Sequence, residues 1–423
     1  QQVSELITKT DEPVITVLSA LSGTTNALVS IGDAMAAGNR ELAKGNIDKL
    51  EAHYQSFIRE LLKKETTLAK AKNIVSEHFE FLNIILKISF SEALSKDILA
   101  QGELLSTKLF STFLEEKNID HVLLPALEFM SIDADDEPQV PHIKARLTAL
   151  LNHHKDKKIF ITQGYICRNA RGEVDNLKRG GSDYSASLIA AAVNASVCEI
   201  WTDIDGMHNN DPRIVKKTRP IEQLSFEEAA ELAYFGAKIL HPASIWPAQH
   251  YNVPVKLLNT MEPSAAGTLI AEEAGSVGVK AVAAKDGIIS INIKSSRMLL
   301  AYGFLRKIFE VFEKYKTSID MITTSEVAVS VTIDNKNNLK EIVRELEPFG
   351  TISVESDHSI ISVVGNEIAQ TQEILKNLFE SLAGINIRMV SYGGSKHNIS
   401  LLVNSSDRTK TLQLLNKGLF GLD

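Results

Sequence analysis

Cysteine is scarce in this chain: Cys167 and Cys198 are the two in 423 residues. Both lie in strand-like apolar surroundings, so they read as buried free thiols, and a disulfide framework is excluded. Long apolar runs are missing as well. The longest, Phe79 to Phe90, is interrupted by Glu80, Asn83 and Lys87, so no membrane span is expected. No signal-peptide pattern opens the chain. It also has no basic block, and a formal net charge of −8 argues against a nucleic-acid partner. The expected compartment is the cytoplasm. What is present is 44% apolar residues at near-zero mean hydropathy, the balance of a globular protein with real cores. The length predicts about two or three domains.

The most informative stretch is Arg179-Gly180-Gly181-Ser182-Asp183, just ahead of an Ala-rich helical segment over residues 185–193. A helix start carries unpaired N–H groups and the positive end of the helix dipole, so it attracts phosphate or carboxylate. Glycines let such a group approach the backbone, and Arg179 can add a two-pronged contact. The plain alternative is that Ser182 or Asp183 caps the helix. The following segment shifts the weight toward a phosphate site. Residues 197–201 read as a buried strand that delivers Thr202-Asp203-Ile204-Asp205-Gly206 at its carboxyl end, where open α/β sheets hold ligands. Asp203, Asp205 and Asp211 lack the spacing and closing Glu of a calcium loop, and a nucleotide with its magnesium suits them better. His153 and His154, followed by Lys-Asp-Lys-Lys, read as an exposed turn, and no protein-only metal site is expected.

Residues 1–280 alternate strand-like runs (14–19, 122–124, 159–166, 199–202, 253–257) with helical ones (27–37, 47–67, 74–89, 94–113, 226–234). This is the pattern of a mainly parallel sheet sandwiched by helices, with a surface loop at 132–141. After residue 276 the pattern changes. Two copies of a strand-helix-strand-strand-helix unit follow, the first over 288–346 and the second over 360–418, with an extra strand at 352–355. Such split ferredoxin-like α+β units suit small-ligand binding or pairing. The expected division is 1–280, 281–357 and 358–423.

The motifs at 179–186, Trp201-Thr202-Asp203, Asp211-Pro212-Arg213 and Phe-Gly-Ala-Lys-Ile-Leu-His-Pro at 235–242 resemble the aspartokinase family. Residues 17–20, Gly23-Thr24-Thr25-Asn26, Gly102-Glu103-Leu104 and Thr162-Gln163-Gly164-Tyr165 match further family segments in order. The likeness is to the monofunctional, lysine-sensitive branch and covers nearly the whole chain. It implies an amino-acid-kinase-like domain followed by tandem, interleaved ACT units. The implied reaction is ATP-dependent phosphorylation of the aspartate side chain, the first step toward lysine, threonine and methionine.

By that resemblance Ser19, Thr25, Glu103, Tyr165, Arg179 and Ser182 line the aspartate pocket, and Asp183 helps organise the transferring phosphate. Arg179 suits a substrate carboxylate and Glu103 the substrate ammonium; Glu103, taken to stand ahead of a helix at 104–113, has helix capping as its alternative. For ATP the resemblance points to Thr202, Asp203, His208, Arg213, Lys238 and Ile239, with magnesium held chiefly by ATP oxygens and water. His208 stands where the family usually has Tyr. A lysine effector would meet Met298, Phe304, Leu305, Ile319, Asp320, Ser325 and Glu326 in the first ACT unit, and Ala301 replaces a frequent Ser. Paired ACT units imply a homodimer or homotetramer. The family's Lys-Phe-Gly-Gly strand does not occur, and residues 1–10 read as the end of the helix that follows it; the expectation is an impaired kinase. The rivals are a kinase for another amino acid, such as glutamate, and a non-catalytic amino-acid sensor.

Overall fold

The computed structural model describes all residues except 178–179, 237–239, 274, 296–297, 299–301 and 423. The chain forms two compact units. One comprises Gln1–Asp203, Ala243–Lys256 and Thr260–Pro263, and the other Ile204–Pro242, Leu257–Asn259 and Ser264–Asp423.

The first unit opens with helix α1 (Gln2–Ile7), strand β1 (Val14–Leu18) and helices α2 (Thr24–Ala36), α3 (Arg40–Leu61), α4 (Glu65–Ile85) and α5 (Glu92–Glu116). Strand β2 (Val122–Leu124), helices α6 (Ala126–Phe129) and α7 (Val140–Asn152), and strands β3 (Ile159–Gln163), β4 (Ile166–Arg168) and β5 (Val174–Asn176) follow. Helix α8 (Gly181–Val193) and strand β6 (Cys198–Thr202) complete this run. Strands β1, β3 and β2 form a parallel sheet in that order. Its side chains alternate between two cores, as the two-residue period of a strand requires. Ile161 packs with Leu28, Tyr54, Phe79 and Leu105 of α2–α5, and its neighbour Phe160 packs with Leu147 and Leu188 of α7 and α8. Each fully buried aliphatic or Phe side chain contributes about 1.5–3 kcal/mol.

The expected helix at 47–67 is instead divided between α3 and α4. Glu116 at the end of α5 explains the break: its carboxylate accepts from the backbone N–H groups of Lys63 (3.0 Å) and Lys64 (2.9 Å). Those donors would otherwise be unpaired where α4 begins. The expected strand at 159–166 also divides, at Gly164-Tyr165, into the parallel β3 and the antiparallel ribbon β4–β5.

The chain continues through β7 (Gln223–Ser225), α9 (Phe226–Tyr234), α10 (Pro242–His250), β8 (Val255–Asn259) and β9 (Thr268–Ala271). Helix α9 has a full capping box, with Ser225 and Glu228 each bonding the other's backbone, and matches its predicted limits. Strands β7 and β9 pair in parallel. Then come β10 (Gly278–Lys294), α11 (Phe304–Lys314), β11 (Ile322–Thr324), β12 (Ala328–Ile333), α12 (Leu339–Leu346), β13 (Thr351–Asn366), α13 (Gln372–Ser381), β14 (Ile387–Ser391), β15 (Asn398–Asn404) and α14 (Arg408–Phe420).

These last strands make one six-stranded sheet, ordered β11-β12-β10-β13-β15-β14. The two predicted repeats are present, but they share their long strands. The C-terminal half of β10 lies between β12 and residues 351–355 of β13, while its N-terminal half pairs with residues 360–366. Strand β13 runs unbroken past residue 357 and joins the predicted strands at 352–355 and 360–364. Two cores result. Ile289, Ile291 and Ile293 pack with α11 and α12, and Val282, Ile361 and Val363 pack with Leu378 of α13 and Leu412 of α14. Among the described residues no helix is long and apolar enough to cross a membrane.

Candidate active site

In the first unit the loop after β1, the middle of α5, the β3–β4 turn and the start of α8 are tied to one another. Gly102 permits the first contact: a Cβ there would lie 2.8 Å from the Ala20 Cβ, so only glycine lets α5 approach the β1–α2 loop so closely. Ser106 then donates from Oγ to the Ser19 carbonyl (2.8 Å). The Ala20 N–H donates to Glu103 Oε1 at 3.4 Å. Glu103 lies in the middle of α5, whose cap is Ser91, so the helix-capping alternative for it is removed. Only 4% of Glu103 is exposed. Burial pushes its carboxyl up to about 7, against the weaker opposing pull of the Ala20 N–H. Above Glu103, Thr24 and Tyr54 share a buried 3.0 Å hydrogen bond, and burial pushes the Tyr54 phenol up to about 12. Ser19 is exposed on the same loop, and Thr25 is exposed in the first turn of α2.

The β3–β4 turn is equally constrained. The Gly164 N–H donates to Leu18 O (2.9 Å), and the Tyr165 N–H donates to Ser185 Oγ (2.8 Å). Tyr165 adopts φ +64°, sparsely populated for a bulky residue and held here by the surrounding bonds. A Cβ on Gly164 would lie 2.3 Å from Ser182 Oγ and 2.8 Å from Ser182 Cα, so this glycine seats the first turn of α8 against the sheet. Burial pushes the Tyr165 phenol up to about 12, and the nearby Glu103 carboxylate adds to the shift.

Helix α8 has Gly180 as its N-cap, at φ +77°, with no side-chain capping bond. Ser182 and Asp183 therefore stand in the first turn and do not cap it. Burial alone pushes Asp183 up to about 6. At neutral pH it is mostly charged, at the end of the helix whose dipole favours anions. Arg179 lies outside the described residues.

The loop 204–219, where part of the nucleotide contacts was expected, belongs to the second unit and has its own internal bonding. The His208 Nε2 lies 2.8 Å from Asp205 Oδ1, and its Nδ1 lies 2.7 Å from Thr218 Oγ1, so both ring nitrogens have partners within the loop. Arg213 is exposed and grips Asp211 with two bonds, Nε to Oδ1 (2.9 Å) and Nη2 to Oδ2 (2.8 Å). That guanidinium holds the Asp211 carboxyl below the usual carboxylate range. Asn209, Asn210 and Asn416 anchor the loop to α14. Asn416 Oδ1 accepts from Asn209 Nδ2 (3.2 Å) and Asn210 Nδ2 (3.3 Å), and its Nδ2 donates to Lys217 O (3.0 Å) and Leu422 O (3.1 Å). Thr202 and Asp203 end the first unit's run, Asp203 exposed. Lys238 and Ile239 lie outside the described residues.

Of the expected effector residues, Phe304, Met298 and Ile319 belong to or pack against one core, and Leu305 is exposed beside it. Asp320 is bonded to Lys285 and Tyr234. Ser325 and Glu326 are exposed in the β11–β12 turn, and Ala301 is outside the described residues.

The sequence pattern of the Amino acid kinase family matches residues 1–259, and that of an ACT domain matches residues 361–419. Lysine-sensitive aspartokinase 3 of Escherichia coli (strain K12) is 32% identical over 421 residues, 96% of this chain and 92% of that protein. The chain belongs to the aspartokinase family. A chloroplastic relative, aspartokinase 3 of Arabidopsis thaliana, is 34% identical over 451 residues, covering 100% of this chain and 79% of that one. The crystal structure of E. coli aspartokinase III with aspartate and ADP, in its R-state, matches with a TM-score of 0.84 at 29% identity, covering 99% of this chain and 95% of that one. The same protein with lysine and aspartate, in its T-state, matches at 0.78 with the same identity and coverage.

Of the segments quoted from the sequence, those at 17–20, 102–104 and 162–165 meet one another and the first turn of α8 in the first unit. Sequence reasoning missed Gly102 and Gly164 as the contact points; neither sits at a repeat or period that would single it out. It also missed Thr24, although the residue lies in the quoted segment 23–26, and Tyr54 and Asn416, which are buried groups outside any motif. The two thiols are buried and free, and burial pushes both up to about 12.

Proposed function

We propose that the chain transfers the γ-phosphoryl group of ATP to the side-chain carboxylate of L-aspartate, giving 4-phospho-L-aspartate and ADP. The observation that carries this reading is the buried Glu103 carboxylate, joined through the Ser19–Ala20 backbone and the Gly164 turn to the first turn of α8. One end of such a pocket takes an ammonium and the other takes anions. Glu103, near neutrality in its free state, becomes fully charged when a substrate ammonium arrives, because the cation favours the ionised form. Ser19, Thr25 and Ser182 are hydroxyl donors for the substrate carboxylates, Tyr165 closes the pocket wall, and Arg179 takes a carboxylate. The acceptor is already ionised at neutral pH, so no general base is needed. Catalysis is positioning and charge stabilisation, which the α8 N-terminus and Asp183 supply.

Thr202, Asp203, His208, Arg213, Lys238 and Ile239 are assigned to the nucleotide. The His208 and Arg213 geometry supports an indirect role for both, shaping the loop through Asp205, Thr218 and Asp211. Magnesium enters with ATP, held by phosphate oxygens and water, and Asp183 and Asp203 are oxygen donors of the kind it prefers. We further infer lysine feedback through Met298, Phe304, Leu305, Ile319, Asp320, Ser325 and Glu326, and assembly as a homodimer or homotetramer through the ACT units. Effect on a distant reaction needs two states that bind lysine unequally.

The test is ADP release with ATP, magnesium and L-aspartate, with Asp183→Ala as the blank. Aspartate-dependent turnover that vanishes in the blank is expected. No aspartate-dependent turnover from a folded chain, or equal turnover with glutamate, overturns the reading.

A further inference from the structure

The Asp320 side chain is 1% exposed, yet only one of its carboxylate oxygens is satisfied. Oδ1 accepts from Lys285 Nζ at 2.6 Å and from the Tyr234 hydroxyl at 2.8 Å. Oδ2 has no hydrogen-bond partner among the described residues. A buried carboxylate oxygen left unpaired is unfavourable unless a cation serves it. Lys285 also lies 2.9 Å from Asp334 Oδ2 and 4.4 Å from the centre of the Tyr234 ring. Its ammonium is therefore shared between a buried carboxylate and a partly exposed one. Burial would lower the Lys285 amine, but the bonds to Asp320 and Asp334 outweigh it and hold the amine charged.

The cluster joins separate elements. Lys285 is on β10, Asp320 leads into β11, and Tyr234 is the last residue of α9. Two residues further on, Gly236 has φ +120°, and a Cβ there would lie 2.1 Å from the Ala284 carbonyl oxygen. Only glycine lets the end of α9 press onto β10 beside Lys285. Residues 237–239, with Lys238, come next in the chain.

We propose that Lys285 is a tethered occupant of an ammonium subsite on Asp320, and that a lysine effector binds there by replacing it. The effector's ammonium takes Asp320, the Lys285 ammonium moves wholly to Asp334, and the Tyr234 ring loses the Lys285 ammonium that stood over it. The hold of Lys285 on the end of α9 is released. The inference rests on the reading of Asp320 as an effector contact. Lys285 then sets the effector threshold, since self-occupation lowers the apparent affinity by the fraction of time the subsite is open.

Calorimetric titration of the full chain with L-lysine tests this, comparing wild type with Lys285→Met and Lys285→Arg. The expected result is a Kd lowered about tenfold in Lys285→Met, as the internal competitor is gone. In Lys285→Arg a guanidinium can grip Asp320 and Asp334 together, so the Kd rises. Tyr234→Phe should still bind lysine but show weaker inhibition of turnover. If Lys285→Met does not fold, Lys285→Arg decides the question alone. A Kd within about twofold of wild type in the foldable variants, or a weaker one in Lys285→Met, overturns the proposal while leaving the effector reading intact. A wild type that binds no lysine overturns the effector reading itself, and the proposal with it.

Discussion

Replacing Glu103 by Gln should make the protein more stable and less able to bind aspartate, and the two effects should separate with pH. The Glu103 carboxyl is pushed from 4.5 up to about 7 by burial, so the folded state binds this proton more tightly than the unfolded chain does. Stability from this group is therefore greatest below the unfolded value and is lost as pH rises toward the folded one. Above pH 7 the loss amounts to roughly 3 kcal/mol, and at pH 5 to about 1 kcal/mol. Glu103→Gln removes that penalty. In a unit of this size its melting temperature at pH 8 should rise on the order of 5–10 °C, with a much smaller rise at pH 5.

His78 works in the opposite sense. It is buried and neutral, bonded to Gln101 at 2.6 Å, and burial lowers it from 6.5 to about 4. Its stabilisation is present above pH 6.5 and lost as pH falls toward 4, by roughly 2 kcal/mol at pH 5. In wild type the two groups nearly offset each other between pH 8 and 5. In Glu103→Gln the gain from Glu103 is absent while the contributions of His78 and of Asp183, itself pushed up to about 6, remain, so the variant should fare worse than wild type on acidification from pH 8 to 5 by roughly 2–3 kcal/mol. Scanning fluorimetry at pH 5, 6, 7 and 8 gives the comparison. Aspartate affinity by calorimetry should fall roughly tenfold to a hundredfold with the charged partner gone. A variant less stable than wild type at pH 8, or equally shifted at pH 5 and 8, refutes the argument.

Three further outcomes are expected. For wild type, kcat/KM for aspartate should fall as pH drops below about 7, since protonated Glu103 no longer attracts the ammonium, with a second decline near 6 from Asp183; a profile flat from pH 5.5 to 8 counts against both roles. Gly164→Ala drives a methyl into Ser182, so it should destabilise by about 1–3 kcal/mol and raise the aspartate KM; an unchanged melting curve would exclude the contact. Asn416→Ala removes the acceptor of the Asn209 amide and the side-chain donor to the Lys217 and Leu422 carbonyls, while the Asn210 amide keeps its bond to the Leu412 carbonyl. It should cost about 1–3 kcal/mol and raise the KM for ATP more than that for aspartate, which steady-state kinetics with each substrate varied in turn would check.

Much of the architecture was local and therefore legible in sequence. The limits of α9, β2, β12 and α12 follow from short-range period and caps, and the repeat in the last 150 or so residues shows as two similar successions of elements. The helix after Gly180-Gly181 was legible but its start was not: it was expected over 185–193 and begins at Gly181, because Gly180 takes the left-handed angles of an N-cap and brings Ser182 and Asp183 into the first turn. The division of residues 47–67 was not, because the Glu116 carboxylate that ends one helix and starts the next lies some fifty residues away. Nor was the single sheet of the second unit. Each repeat looks complete by itself, and only the register of β10 on β13 reveals that they share strands.

By itself the sequence determined the family, many of the strands and helices, and the kinds of chemical group available: a glycine-led helix start, acids and hydroxyls at strand ends, and a paired α+β tail. These depend on neighbours along the chain or on motifs a few residues long. Tertiary structure decided which of those groups are buried and which already have partners. Glu103 and Asp183 lose water on folding and move toward neutrality, His208 and Arg213 spend their donors on their own loop, and Asp320 is held by a lysine from another strand. Burial and pairing are set by residues distant in sequence, and on them depends what the same carboxylate or amine can do.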